Sequence, residues 1–574
     1  MTDLLTDDGP EGARWGLRGR SGGLMFRLYT SNPFYVISAD LVFVGLRMSF
    51  DTHGKSFETW ALMLGLAAYT LLLAVTACWL IRRGRVWDDV RSVLLVVVMM
   101  FLAMSVTFDN TLAENTRLGT ACFLGGWLFA VAVSEGLLRG IGLALPFWYR
   151  APYYLLLTLF FVYPVALSPL LDRPESPELQ WALFGFSTVA GLLFLSLIPA
   201  VRKGASYVAG NGSPWPWPLY PWTLFGLLAL AVAARASYLC TSFHFVDWSA
   251  RESTNSIFAP YFLTPFLFAL NLLVLEAGLA SRRRAVQQLA LGLPIGILAV
   301  AALGYRDDLV YQRFLGLFTN GLGGTPLYLT PIATTCFYAF AAIRTVPWAW
   351  GGLASSLAAL AVIGPETFNW SGLRDPSPWP ILAFALLEAS LCWRRRESWR
   401  GLLAAVGFVT AVGLALPDRI PVSRTLLVLQ LTIVATLILG ALFDDRLGRW
   451  LQNAGAFAHF LACAAAILGV PQLDAGTSPQ SFERLALLSI VVALGYGAIM
   501  KNRLYFVEAA AAATLWLSVV GWKGYLLARQ LLVGLDLIVC GLAFFLLAAL
   551  ISLKKAGAFP NGFPVLWKRA QNEL

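Results

Sequence analysis

The chain has 574 residues, 58% of them hydrophobic and only 13% charged, with a mean hydropathy of +0.69. Soluble proteins carry roughly 25% charged residues, so the composition excludes a soluble enzyme, a disordered chain and a disulfide-stapled secreted domain. The formal charge of +10 suggests nucleic acid only until the basic residues are assigned to loops, where most of them read as membrane topology.

Residues 1–32 form a polar tail with four Arg and four acids and no cleavable signal pattern, which predicts a cytoplasmic N-terminal segment. A helix crosses the ~30 Å hydrocarbon core with about 20 mostly apolar residues. Runs of that kind follow at 33–50, 59–81, 92–108, 118–138, 151–171, 180–201, 217–240, 257–280 and 285–304. They continue at 325–343, 347–364, 378–393, 401–416, 424–443, 450–470, 485–500, 505–522 and 530–553. The basic stretch 554–574 ends the chain. The fold class predicted is an all-α polytopic integral membrane protein of about 18 transmembrane helices, both tails inside. The segment Arg306–Phe318 is too polar to span. It pairs charges with Phe314, Leu315 and Phe318, the pattern of a helix lying along the outer interface.

Positive segments resist translocation. With the N-terminus inside, 28 of the 42 basic residues fall in inner segments and 12 in outer loops, while Arg47 and Arg235 lie within spans. Arg82, Arg83 and Arg85, Arg282–Arg284 and Arg394–Arg396 all fall inside. A missed helix would invert this pattern downstream, and no inversion occurs. These tracts suit contact with anionic lipid headgroups as a second role, and no nucleic-acid partner is implied. Arg outnumbers Lys 35 to 7, a bias typical of GC-rich genomes, which points to a bacterial inner membrane.

Segments four spans apart resemble one another. The stretch from Gly351 (GGLASSLAALAVIGPETFNWSG) matches that from Gly455 (GAFAHFLACAAAILGVPQLDAG), with fainter copies upstream. Parallel four-helix repeats of about 105–140 residues, around 92–200, 217–343, 347–443 and 450–522, are therefore expected. Glu135, Glu276 and Glu388 occupy equivalent places near the inner ends of their spans, where the last copy has Gly495.

No phosphate-binding loop, zinc-protease helix or serine-hydrolase elbow is present. The seven cysteines sit singly in apolar runs, so neither a metal centre nor a cofactor is implied. The substrate-binding candidates lie in outer loops. Asp247, Trp248, Arg251 and Glu252 repeat the order of Asn369, Trp370, Arg374 and Asp375, with Asp109 and Glu114 in a similar loop. An indole beside a carboxylate and a guanidinium can hold a sugar or a headgroup, although Trp also favours the interface for its own sake.

Charges within spans form the second group, because each costs at least ~2.5 kcal/mol at the bilayer centre and normally faces protein or water. Asp40 and Arg47 share a helix face, and Arg235 and Asp536 lie at matching outer depths, which predicts a buried Arg235–Asp536 pair. Glu135 precedes Arg139 by four residues, while Glu276 and Glu388 precede Arg283 and Arg395 by seven, so local ion pairing is expected. Glu508 also sits near an inner end, and His459 reads as a hydrogen-bonded packing residue. Pro294, Gly296 and Pro331 offer broken helices.

Three functions fit: a transporter or flippase, a structural or sensory subunit that holds partners, and a membrane-embedded transferase acting on lipid-linked or outer-face substrates. The repeats and intramembrane charges favour transport, and the missing enzyme signatures weigh against catalysis. The threading is testable. In a cysteine-free chain, single Thr6→Cys and Ala570→Cys variants should both react with an impermeant maleimide only after the membrane is opened. Labelling of the two from opposite sides refutes an even number of crossings.

Overall fold

The computed structural model describes residues 34–50, 56–170, 176–215, 217–242, 258–303, 309–368, 373, 376–415, 424–468, 479–531 and 534–555. Among these residues the chain is helical throughout, without a strand. Every apolar run of the sequence is occupied by a helix. Twelve helices are long and apolar enough to cross a membrane, and five more apolar helices are shorter. The run at 378–393 is interrupted by Glu388 and followed by Arg394 and Arg395. The protein is an all-α, multi-pass membrane protein.

The chain divides into two compact units, residues 1–375 and 376–574. Unit 1 contains α1 (Phe34–Phe50), α2 (Ser56–Trp79), α3 (Trp87–Glu114), α4 (Thr116–Ile141), α5 (Phe147–Leu167), α6 (Pro177–Leu195) and the short α7 (Ile198–Lys203). It continues with α8 (Leu219–Ser242), α9 (Thr264–Ala280), α10 (Arg284–Ala302), α11 (Leu309–Leu322), α12 (Pro326–Ile343) and α13 (Ala349–Val362). Helical hairpins such as α3–α4, α9–α10 and α12–α13 are the closest packers, tied together by α6 against α9 and α10 against α12.

The local chemistry explains the hairpins. Asn115 ends α3 and caps α4, its side chain accepting from the Leu118 amide at 3.1 Å. The turn is so tight that a Cβ on Gly119 would sit 2.3 Å from Leu112 Cα, and only glycine fits. Six interhelical turns pass through a left-handed residue, with φ of 52° at Arg85, 73° at Gly142, 53° at Arg282, 59° at Thr345, 56° at Arg396 and 53° at Lys501. A side chain in that conformation costs roughly 1–2 kcal/mol. Basic residues occupy four of these left-handed positions.

The core of unit 1 is rich in aromatic rings. Phe258 meets Phe314 edge-on at 4.5 Å, and Trp181 stacks on Phe318 at 5.9 Å. These contacts seat α11 on α6. The segment expected along the interface does form a helix, but its Phe314, Leu315 and Phe318 are buried in the protein. Aromatic partners on α6 offer that face more contact than acyl chains would.

Unit 2 contains α14 (Pro378–Arg395), α15 (Ser398–Ala415), α16 (Arg424–Leu442), α17 (Arg446–Leu468), α18 (Pro479–Met500), α19 (Arg503–Leu531) and α20 (Leu535–Lys555). Its core is built on Ile433, Leu437, Cys463, Ala486 and Tyr505. Many large apolar side chains face outward, Leu537 and Phe544 among them. Such a surface is a liability in water and ordinary in lipid.

Asp445 joins three helices of this unit. Its Oδ1 accepts from the Gly448 amide at 2.7 Å and caps α17, and the Ser398 hydroxyl at the head of α15 donates to its other oxygen. The Ser398 hydroxyl, with the Gly448 amide, holds this loop carboxyl below its ordinary range. A depressed carboxyl contributes stability that is present above the unfolded-state value and lost as pH falls through the folded-state value. Asp445→Ala should therefore lower the thermal midpoint in detergent at neutral pH. The gap between variant and wild type should close on acidification, and a gap that persists in strong acid refutes the assignment.

Candidate functional site

Two helices of unit 1 with interior prolines, α10 and α12, frame a recess with polar groups in its wall. Pro294 in α10 and Pro331 in α12 each lack an amide hydrogen, which leaves the carbonyls of Ala290 and Leu327 without their helical donors. Hydrocarbon supplies no substitute, so such breaks persist only where protein or a lined cavity satisfies them. Hydroxyls gather here. Tyr338 donates to the Leu291 carbonyl at 2.6 Å, bracing α12 on α10. Thr335 donates to the Pro331 carbonyl at 2.8 Å and lies 3.0 Å from the Ser356 hydroxyl on α13. A Cβ on Gly352 would come 2.2 Å from the Tyr338 ring, so glycine alone lets α13 approach this closely.

Between these helices lies a groove of about 390 Å³, lined in part by Gln288, Pro294, Pro331, Thr334, Tyr338 and Ser355. Trp348 is 80% exposed and also lines it. The groove is open on its flank, where Ile295 is exposed. It can take a polar group from the side, with hydroxyls inside and apolar surface at the lip.

The charged residues form separate ties. Arg235 on α8 is 1% exposed and grips Asp109 on α3 with both terminal nitrogens, one contact at 2.7 Å. On α9, Glu276 is also 1% exposed. It accepts two bonds from Arg202 on α7, at 3.0 and 2.7 Å, and one from Arg344 after α12 at 3.4 Å. Glu135 on α4 meets Arg150 and accepts from Tyr154 at 2.5 Å, with Arg139 at 3.6 Å. In unit 2, Glu388 meets Arg400 at 3.0 Å across the α14–α15 hairpin. His459 Nδ1 on α17 meets the Glu508 carboxylate on α19, and both side chains are buried. Among the described residues, no three His, Cys, Asp or Glu side chains gather as a metal site.

Several sequence expectations change. Arg235 and Asp536, expected as a pair, each have a partner within their own unit. Arg235 takes Asp109 as its partner, while Asp536 accepts from Tyr525 and meets Arg529 at 3.1 Å. Glu276 and Glu388 are held by Arg202, Arg344 and Arg400 instead of Arg283 and Arg395. A seven-residue offset stretches along one helix, whereas the side chain of a neighbouring helix enters laterally. Glu135 does pair with Arg139, and His459 is indeed buried and hydrogen-bonded. Asp40 is exposed on α1. Asp247, Trp248, Arg251, Glu252, Asn369, Trp370, Arg374 and Asp375 lie outside the described residues, as do the side chains of Arg47 and Glu114.

Sequence reading missed Arg150, Arg202 and Arg400 as partners because each had already been counted as a topology charge. The Thr335–Ser356 contact carried no signal, since hydroxyls in apolar helices usually bond their own backbone. No protein family, curated protein or solved structure matches the chain.

Breaking a buried pair leaves an uncompensated charge and costs about 3–5 kcal/mol, whereas removing both partners is far milder. Arg235→Met should therefore destabilise unit 1 by about that amount, and the Asp109→Asn/Arg235→Met double variant should recover most of it. Equal losses in the single and double variants, read by unfolding in detergent, would show that the two charges are uncoupled.

Proposed function

We propose that the protein is a carrier of an amphipathic, lipid-like solute, a flippase-type transporter of a bacterial cytoplasmic membrane. The observation that carries this reading is the flank-open groove of α10, α12 and α13, where two proline-interrupted helices stand beside a set of hydroxyls. Broken helices at membrane depth are a recurrent way to build solute sites. The polar part of the solute enters between Thr334, Ser355 and Gln288, while its tail remains in the bilayer, so no aqueous pore is needed. The groove offers hydroxyls and an amide instead of paired acids, which favours carriage over transferase chemistry.

The bias of basic residues toward inner turns supports eighteen spans with both tails inside, and contact of that face with anionic headgroups. The left-handed residues Gly142, Arg282, Arg396 and Lys501, each closing the equivalent hairpin, support descent from a repeated four-helix unit.

The test is reconstitution in vesicles containing fluorescently labelled phosphatidylglycerol or phosphatidylethanolamine, with an impermeant quencher outside. The wild-type chain should expose inner-leaflet label. Ser356→Trp, which fills the groove, should slow exposure by about tenfold or more, the factor expected when a polar head loses one good hydrogen-bonding site. Label that stays as protected as in protein-free vesicles, or moves equally fast in both proteins, ends the proposal.

A further inference from the structure

A second cavity of unit 1 has a different chemistry. It runs as a narrow channel between α3, α4 and α8. Arg91, Leu94, Val98 and Phe101 line it from one face of α3. Ten residues separate Arg91 from Phe101, so the lining extends about 15 Å along the helix. Leu137 and Leu224 continue the apolar wall, and Trp215 borders it.

The polar groups in this wall divide sharply. Its hydroxyls are already engaged: Ser134 with Tyr153 at 2.8 Å, Tyr220 with the Ala144 carbonyl at 3.3 Å, and Thr223 with the Leu219 carbonyl at 3.0 Å. Two groups remain. The half-buried Arg91 has neither an ion pair nor a hydrogen bond among the described residues. Trp215 is 8% exposed, and its buried Nε1 has no partner among them either. A guanidinium and an indole N–H can only donate. Asp89, in the same turn as Arg91, lies about 200° around the helix from it and does not line the cavity.

We infer that this cavity binds an anionic single-chain amphiphile, a phosphate or carboxylate head on one alkyl or isoprenyl tail. The head accepts from Arg91 and from Trp215 Nε1, two donors that no described residue engages. The tail lies along Leu94, Val98 and Phe101, where apolar contact is worth about 0.8 kcal/mol per buried methylene. A zwitterionic head would bring a cation against Arg91 and is disfavoured. The site shares no lining residue with the groove between α10, α12 and α13, so it stands whether or not that groove carries solute.

The test titrates the full-length protein in mild detergent with oleoyl lysophosphatidic acid, oleate or oleoyl lysophosphatidylcholine, and counts bound ligand by native mass spectrometry. One saturable site is expected for one or both anions. The zwitterion should bind about tenfold or more weakly, the factor for losing one charge-assisted hydrogen bond. Tighter binding of the phosphate identifies a lipid headgroup as the source, and tighter binding of oleate identifies a free fatty acid. Arg91→Gln should abolish the preference for anions, whereas Arg91→Lys should retain it, which separates the charge from any folding defect. Leu94→Trp should exclude all three by filling the tail channel. Unchanged anion binding in Arg91→Gln, or equal binding of the zwitterion by wild type, overturns the inference.

Discussion

Hydrocarbon cannot hydrogen-bond, so a polar group that this chain carries into the bilayer is costly unless something else answers it. The backbone solves the problem by being helical almost everywhere. Hydroxyls solve it locally, as Thr70, Thr330 and Thr334 do by donating to carbonyls four residues back. Two carboxylates are answered from elsewhere in the chain. Glu276 is met by guanidiniums from two other elements and Asp109 by Arg235 from a third helix, so these ties join helices far apart in sequence.

The same constraint gives arginines at helix ends a structural role. Arg150, Arg202, Arg344 and Arg400 lie at or near helix ends, and each reaches a glutamate one or two turns inside a helix. A long side chain on a helix end can anchor in headgroups and turn back on a carboxylate. The left-handed turns at Arg85, Arg282 and Arg396 also place a basic residue between two helices.

The two recesses of unit 1 show how a bilayer protein separates chemistries. In the groove of α10, α12 and α13, the hydroxyls are engaged with helix carbonyls and with one another, giving a neutral lining. In the cavity of α3, α4 and α8, the hydroxyls are likewise engaged, and Arg91 and Trp215 Nε1 have no partner among the described residues. A neutral lining suits a solute that must leave again. A pair of such donors beside an apolar channel suits an occupant that stays.

Composition and periodicity alone determined the environment, the helices and their approximate ends, because bilayer thickness and backbone satisfaction act on each segment independently of its neighbours. Pro294 and Pro331 were legible as breaks for the same reason, since the missing amide is a property of the residue. Tertiary structure alone decided which charge meets which. Arg235 and Asp536 looked matched by depth, but depth is one coordinate, and each partner is chosen by which helices pack alongside and how they are rotated. That rotation follows from packing at contacts such as Gly352 on Tyr338 and Trp181 on Phe318, whose partners are distant in the chain. The groove and the cavity arise from such contacts, which is why a linear reading of the sequence marked Pro294 and Pro331 but none of the polar groups that line the two recesses.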